Sequence, residues 1–562
     1  MKKTFKRLGA VLLAAFMLLS TTICALAVEG TADTSTTSKI TLNVSNVADG
    51  DTVSAYKLVS YNDTKNGYKF DTDFESYINT KKAESQTAEQ YLASLDAARV
   101  NKLLEGYATE CNTGKAYNLP TASTSETATN GNASLKLDAG YYLLLTTTSS
   151  TNSKVYTPLS AFVKVDGENS VVYAGSNTKA LTAEKDGSYK VSAKFEDGPT
   201  IDKKTNATKS SEDAAWKETA AAGVGDTVRF YVAVTIPAYN NVSKLNLTVN
   251  DTLTNLEYTP NSVKVYENVP DVKGDNTSKI EITDAIKNTD IAEKYTVNGD
   301  TGTQKLKFEL DYQKIMGNKA EQAKTVYIYY EAIMQKESVV EKKHSGENVA
   351  TLTYSNAAKP DSGHTTDKKQ TNVYNYYLSV NKVKNDTEEA LKGAMFSLYP
   401  DKTSKDAIEF VKATDTDGTE YYRPAAEGES GAVTVLEANF RIRGLDANTY
   451  YLEEVETPKG YTKPKDRFKT TLTSKLDENN LHTGKLDAAA SNMTSVNDAD
   501  KNLIIAGINN EVLHQFDATI KNFSSPNLPT TGGIGTVLLS IGGVVLMAAG
   551  AYLLFFRKKK EN

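Results

Sequence analysis

Val228-Arg229-Phe230-Tyr231-Val232 puts Val228, Phe230 and Val232 on one side of an extended chain and Arg229 and Tyr231 on the other. Successive side chains in a strand point to opposite faces, so this run reads as a β-strand with a buried face. Ile40-Thr41-Leu42-Asn43-Val44 and Tyr327-Ile328-Tyr329-Tyr330 alternate in the same way. Between such runs lie turns rich in Gly, Asn and Asp, and the 32 tyrosines suit strands better than helices. Short strands at close spacing predict an all-β chain of tandem immunoglobulin-like β-sandwiches. One helical segment interrupts the pattern. Thr87 and Gln90 form a capping box, Leu92, Leu95 and Leu103 recur near helical spacing, and Gly106 is the expected stop. It reads as a short helix inserted in the first domain.

The N-terminus begins with Lys2, Lys3, Lys6 and Arg7, an apolar run from Leu8 to Leu19, and the small-x-small site Ala25-Leu26-Ala27. This is a secretory signal peptide over residues 1–27. Ile23 before Cys24 is too bulky for a lipobox, so lipidation is not expected. The formal charge of the whole chain is −6. The segments 1–27 and 532–562 together carry eight Lys or Arg against one Glu, so the intervening chain stands at −13. That balance gives no electrostatic case for nucleic acid. Cys111 is the one cysteine left after the signal peptide and cannot form an internal disulfide. An exported chain without disulfides needs another source of covalent stability.

About 500 mature residues suggest three or four domains. New strand patterns begin at Gly198-Pro199 and after Asn372, giving domains at 28–195, 196–375 and 376–524. Two of these open with a lysine among inward apolar neighbours: Lys203 shares a face with Ile201, and Lys382 with Leu378 and Val380. An inward lysine is costly unless neutral or paired. Near the domain ends lie asparagines on a similar register, Asn356 and Asn522, and between them the acids Asp251 and Glu454. Lysine, acid and asparagine together can form an isopeptide bond. Burial yields a neutral amine, which attacks the asparagine carbonyl while a carboxyl polarises it and relays protons as ammonia leaves. Lys204 and Asn348 are rivals in the middle domain, since Asn348 shares the parity of Asn356. Asn509 and Asn510 rival Asn522.

The words around these residues resemble known families. Leu378 to Leu398, LSVNKVKNDTEEALKGAMFSL, and Tyr451 to Tyr461, YLEEVETPKGY, resemble the start and the E-box of a collagen-adhesin B-type (Cna-B) domain. That resemblance implies an isopeptide site at Lys382 and Glu454, with Asn522 in the last strand as partner. The middle domain, from PTIDKKT through GDTVRFYV and NDTL to LTYSN, resembles the second domain of sortase-assembled major pilins of Gram-positive bacteria. There the match implies Lys203, Asp251 and Asn356. Residues 28–195 show no such set and are expected to be unlinked.

The C-terminal segment 525–562 completes the resemblance. Leu528-Pro529-Thr530-Thr531-Gly532 precedes an apolar stretch, 534–556, and the basic Arg557-Lys558-Lys559-Lys560. As a helix the stretch would rise about 34 Å, enough for a hydrocarbon core of roughly 30 Å. The basic tail suits positive-inside retention. Motif, span and tail resemble a cell-wall sorting signal, in which a sortase cysteine attacks the carbonyl corresponding to Thr531 and releases Gly532 onward. In backbone pilins the acceptor is a lysine late in the first domain, within a Tyr-Pro-Lys motif. Here Tyr189-Lys190-Val191-Ser192-Ala193-Lys194 occupies that place, with Ser-Ala where Tyr-Pro is usual. Lys194 is the expected acceptor and Lys190 the alternative.

The resemblance therefore implies a non-enzymatic backbone subunit of a covalent, wall-anchored surface pilus. Its expected partners are pilin-class and housekeeping sortases, identical subunits head to tail, minor or tip pilins, and peptidoglycan at the base. A wall-anchored adhesin or minor pilin binding a host ligand is the alternative. His344, His364, His482 and His514 lack ligand spacing, and Asp415-Thr416-Asp417-Gly418 lacks a closing glutamate for calcium. No metal or cofactor is expected.

Overall fold

The computed structural model describes residues 39–525 and 534–558, apart from short segments at 63–66, 114–116, 150–152, 167–168, 176–178, 208–214, 239–244, 273–275, 318–321, 340–344, 357–358, 416, 427 and 510–511. The signal peptide and the Leu528–Gly532 motif lie outside the described residues. Two compact units are present, one running to Tyr374 and taking in Asp477–His482, the other beginning at Asn375. Strands dominate both.

The first unit contains two sets of sheets. In the N-terminal set, Gly140–Thr147 lies inside a six-stranded sheet between Thr52–Asn62 and Leu159–Asp166. Its sequence, GYYLLLTT, is a continuous apolar run because both faces are covered. Tyr142 and Leu144 enter a sandwich core with Leu42, Val44 and Leu135. Leu143 and Leu145 pack under helices with Phe74, Leu104 and Tyr107.

Those helices correct the expectation of one segment ending at Gly106. The Thr87–Gln90 capping box is present, but its helix is only Ala88–Ala93. Asp96 then receives the Arg99 N–H at 2.8 Å and opens a second helix, Ala97–Thr113. A third, Thr72–Asn79, starts on Asp71, whose carboxylate accepts from the N–H groups of Asp73 and Phe74. Gly106 ends nothing. A Cβ there would lie 2.3 Å from the Tyr77 hydroxyl, so glycine lets two helices close on each other.

The middle set is a β-sandwich. One sheet runs Thr200–Asn206, Thr227–Ile236, Lys324–Met334 and Leu256–Tyr258, with Lys264–Tyr266 also pairing Lys324–Met334. The facing sheet is centred on Ser345–Asn356, Asn246–Thr254 and Thr301–Asp311. Phe230, Val232, Val249, Leu253, Phe308, Ile328 and Leu352 fill the space between them. The approach to the first strand is tight: a Cβ on Gly198 would fall 1.9 Å from the Tyr354 hydroxyl.

In the second unit, Tyr376–Lys384 and Gln515–Asn522 are neighbours in a six-stranded sheet and run parallel. A five-stranded sheet runs Leu436–Glu437, Met395–Tyr399, Thr449–Glu456, Phe468–Thr471 and Asn492–Ser495. After Asn522 the chain is tied to the loop after Thr449–Glu456: Ser524 bridges Tyr461, and the Ser525 N–H donates to the Gly460 carbonyl at 2.8 Å. The apolar C-terminal stretch is a 25-residue helix, Ile534–Lys558, about 37 Å long. Side chains are described on it mainly from Ser540 to Leu553; counted over the described residues alone, no helix is long and apolar enough to cross a membrane.

Candidate functional site: two buried lysines and their partners

Lys382 is fully buried, as are Asn522 and, within one per cent, Glu454. Strand parity puts it there: Leu378, Val380 and Lys382 point inward, while Ser379 and Asn381 do not. Parallel pairing sets Lys382 opposite Ile520 and Lys384 opposite Asn522, so Lys382 and Asn522 share the inner face two residues apart. Glu454 follows Tyr450 and Leu452 on the inward side of Thr449–Glu456. The Lys382 Nζ donates to Asn522 Oδ1 and lies 3.0 Å from Glu454 Oε2. Asn522 Nδ2 donates to Glu454 Oε1 at 2.9 Å. Burial depresses the Lys382 pKa from its ordinary 10.5, more than Glu454 raises it. The amine, the amide and the carboxyl are thus in mutual contact. Asn509 instead donates to Asp517, and Asn510 lies outside the described residues.

The middle domain brings two groups from each sheet together. Lys203 and Tyr330 project from one, Asp251 and Asn348 from the other, and all four are buried. Lys203 Nζ donates to Asp251 Oδ2 at 2.6 Å and to the Tyr330 hydroxyl at 2.8 Å. Tyr330 donates to the same Asp251 oxygen and accepts from Asn348 Nδ2 at 2.7 Å. Desolvation lowers the Lys203 pKa against the pull of Asp251. Lys204, on the opposite parity, reaches outward to Glu218 and Asp202.

Asn348, not Asn356, is the asparagine brought to Lys203. Asp251 pairs with Ala350 and Leu253 with Asn348, so Asn348 lies diagonally beside Asp251 on the inner face. Asn356 is eight residues further along the strand, opposite Lys359, a separation of roughly 26 Å. Parity is the same for both, and only strand register separates them. Tyr330 has no sequence signal beyond its inward parity.

Lys194 is exposed, between Tyr189–Ser192 and Phe195–Glu196, and its carbonyl accepts the Thr157 N–H at 2.9 Å. Lys190 is exposed on the strand before it. No metal-ligating cluster is found among the described residues.

Residues 377–483 match the family model described as SpaA, a prealbumin-like fold domain, and residues 524–562 match that of the LPXTG cell wall anchor motif. The chain thus carries a prealbumin-like domain followed by a cell wall anchor, and it is a wall-anchored surface protein of a Gram-positive bacterium. No curated relative matches it. Similar solved structures include the T6 backbone pilin of Streptococcus pyogenes, at 17% identity and TM-score 0.43, over 87% of this chain and 99% of that one. The major pilin SpaD of Corynebacterium diphtheriae is 16% identical over 87% of this chain and 98% of its own, at TM-score 0.38. SpaA of the same organism is 12% identical over 86% and 100%, at TM-score 0.41.

Proposed function

We propose that this chain is the structural backbone subunit of a covalent surface pilus, stiffened by two internal Lys–Asn isopeptide bonds. The observation that carries the proposal is the buried contact of Lys382 and Asn522, on the neighbouring first and last strands of the second unit, with Glu454 from its other sheet. A permanent ion pair is a poor reason to keep three polar groups there, because desolvation offsets most of the Coulombic gain. As a reaction centre the arrangement makes sense. Passing one proton from the ammonium to the carboxyl leaves a neutral amine beside the Asn522 amide and an acid able to polarise it. The amine attacks Cγ, the Cγ–Nδ2 bond breaks, and ammonia leaves. Each site acts once, so the protein modifies itself and turns over no substrate.

Lys203, Asp251 and Asn348 form the second site. Between subunits, Thr531 of one copy is joined by a sortase to Lys194 of the next, and the last Thr531 goes to peptidoglycan. An exposed lysine shortly before Lys203 and a sorting motif shortly after Asn522 let tension pass from one covalent link to another. Lys194→Ala expressed in the sortase-bearing host tests this. The wild type should give an SDS-resistant ladder and the variant none. A ladder that persists would exclude Lys194 as acceptor, and a wild type without one would leave a wall-anchored monomer.

A further inference from the structure

The two lysine sites differ in how the acid reaches the asparagine. In the second unit the acid touches the asparagine directly, through Glu454 Oε1 and Asn522 Nδ2. In the middle domain, the Asn348 Nδ2 contact runs to the Tyr330 hydroxyl, and that hydroxyl donates onward to Asp251. The same oxygen also accepts from Lys203 Nζ. Tyr330 therefore touches the nucleophile, the acid and the group that must leave.

We propose that Tyr330 is a catalytic residue of the middle-domain site, relaying the proton that releases ammonia from Asn348. The inference rests on the isopeptide reading above. For ammonia to depart, Nδ2 must gain one proton and the attacking Lys203 nitrogen must shed one. Tyr330 gives its hydroxyl proton to Nδ2 and is reprotonated by Asp251, which holds the proton first taken from the Lys203 ammonium. The attacking nitrogen sheds its surplus proton back to Asp251. The Lys203 Nζ–Asn348 Cγ bond forms, the Cγ–Nδ2 bond breaks, NH3 leaves, and the carboxyl ends protonated.

Two other features fit. Burial and the neighbouring Asp251 hold the Tyr330 hydroxyl far above its ordinary pKa, so it starts as a proton donor. Its ring stacks on Phe230 at 5.5 Å and lies 5.7 Å from Phe308, which fixes the hydroxyl on its three partners. In a single-turnover site the geometry must be set by the fold, because no substrate arrives to organise it.

Tyr330→Phe keeps the ring and removes the hydroxyl, and with it the relay and its three hydrogen bonds. The full ectodomain is made by cell-free synthesis, sampled over time, and digested; the Lys203–Asn348 and Lys382–Asn522 cross-linked peptides are followed by mass spectrometry. The expected result is a middle-domain bond formed roughly 100-fold more slowly or worse, with the Lys382–Asn522 bond forming at the wild-type rate as an internal control for synthesis and digestion. Equal rates for the middle-domain bond in variant and wild type would overturn the relay while leaving the bond itself intact. A wild type with no Lys203–Asn348 peptide would instead overturn the underlying reading. Should the Phe variant not fold, 3-fluorotyrosine at position 330 alone keeps ring and hydroxyl and makes the hydroxyl more acidic. An unchanged rate there would also overturn the relay.

Discussion

Asn522→Ala removes the electrophile of the second unit and leaves Lys382 and Glu454 in their 3.0 Å contact. Lys382 and Asn522 are 140 residues apart in sequence. By the loop-entropy relation used for disulfides, closing a loop of that size stabilises the domain by about 5 kcal/mol through the unfolded state. For a domain of about 150 residues, each kcal/mol shifts Tm by about 2–4 °C, so the transition of this unit should fall by roughly 10–20 °C. Scanning calorimetry of the ectodomain measures it, and intact mass gives the covalent state. The wild type should be two ammonia units below its sequence mass and the variant one. A variant that melts within a few degrees of wild type, or that still lacks two ammonia units, would refute the assignment. Asn509→Ala is the matched control and should change neither quantity.

Asn348→Ala should likewise remove one ammonia loss, whereas Asn356→Ala should leave both; intact mass decides between them. In Asn348→Ala the unlinked Lys203 keeps a folded-state pKa below its ordinary 10.5. The unfolded chain then binds more protons, so stability should rise as pH climbs from that lowered value to about 10.5, and melting across alkaline buffers should show it. In the helical layer, burial pushes the Glu105 carboxyl up from 4.5 to about 8. Here the folded state binds more protons, so stability of that layer should fall as pH rises from 4.5 to 8, and Glu105→Gln should flatten the dependence in amide exchange. Asp71→Ala should cost about 1 kcal/mol by removing the cap of Thr72–Asn79, read from denaturant midpoints.

Alternation alone makes the inward positions of Lys203, Asp251, Lys382 and Glu454 readable, because each sits two residues from an apolar neighbour that the core claims. Alternation cannot say where along a strand a group lies. Asn348 and Asn356 have equal parity, and only pairing of Asp251 with Ala350 brings the former to the lysine. In the second unit the parallel pairing of first and last strands leaves less choice, since Asn522 is the asparagine at its inner end. Tyr330 is hidden among 32 tyrosines in a run that any half-buried strand could carry. The helices are blurred for a different reason. Asp71 and Asp96 act as caps through side-chain contacts that compete with ordinary turn chemistry, and Gly106, a usual stop, is held in the helix by its fit to Tyr77.

With the linkage proposed above, the position of Asn348 within its strand also sets how a subunit yields. A bond from Lys382 to Asn522 closes almost the whole second unit, leaving the chain taut up to its exit at Ser525. A bond from Lys203 to Asn348 leaves Val349–Tyr374 outside the closed loop, including the end of one strand and all of the next two. Those twenty-six residues could peel away under load and pay out roughly 90 Å before the backbone straightens. On unloading they would re-pair with Asn246–Thr254, which stays inside the closed loop. A fibre of such subunits would alternate rigid links with short recoverable slack, giving it reach under a sudden pull without loss of its continuous covalent thread.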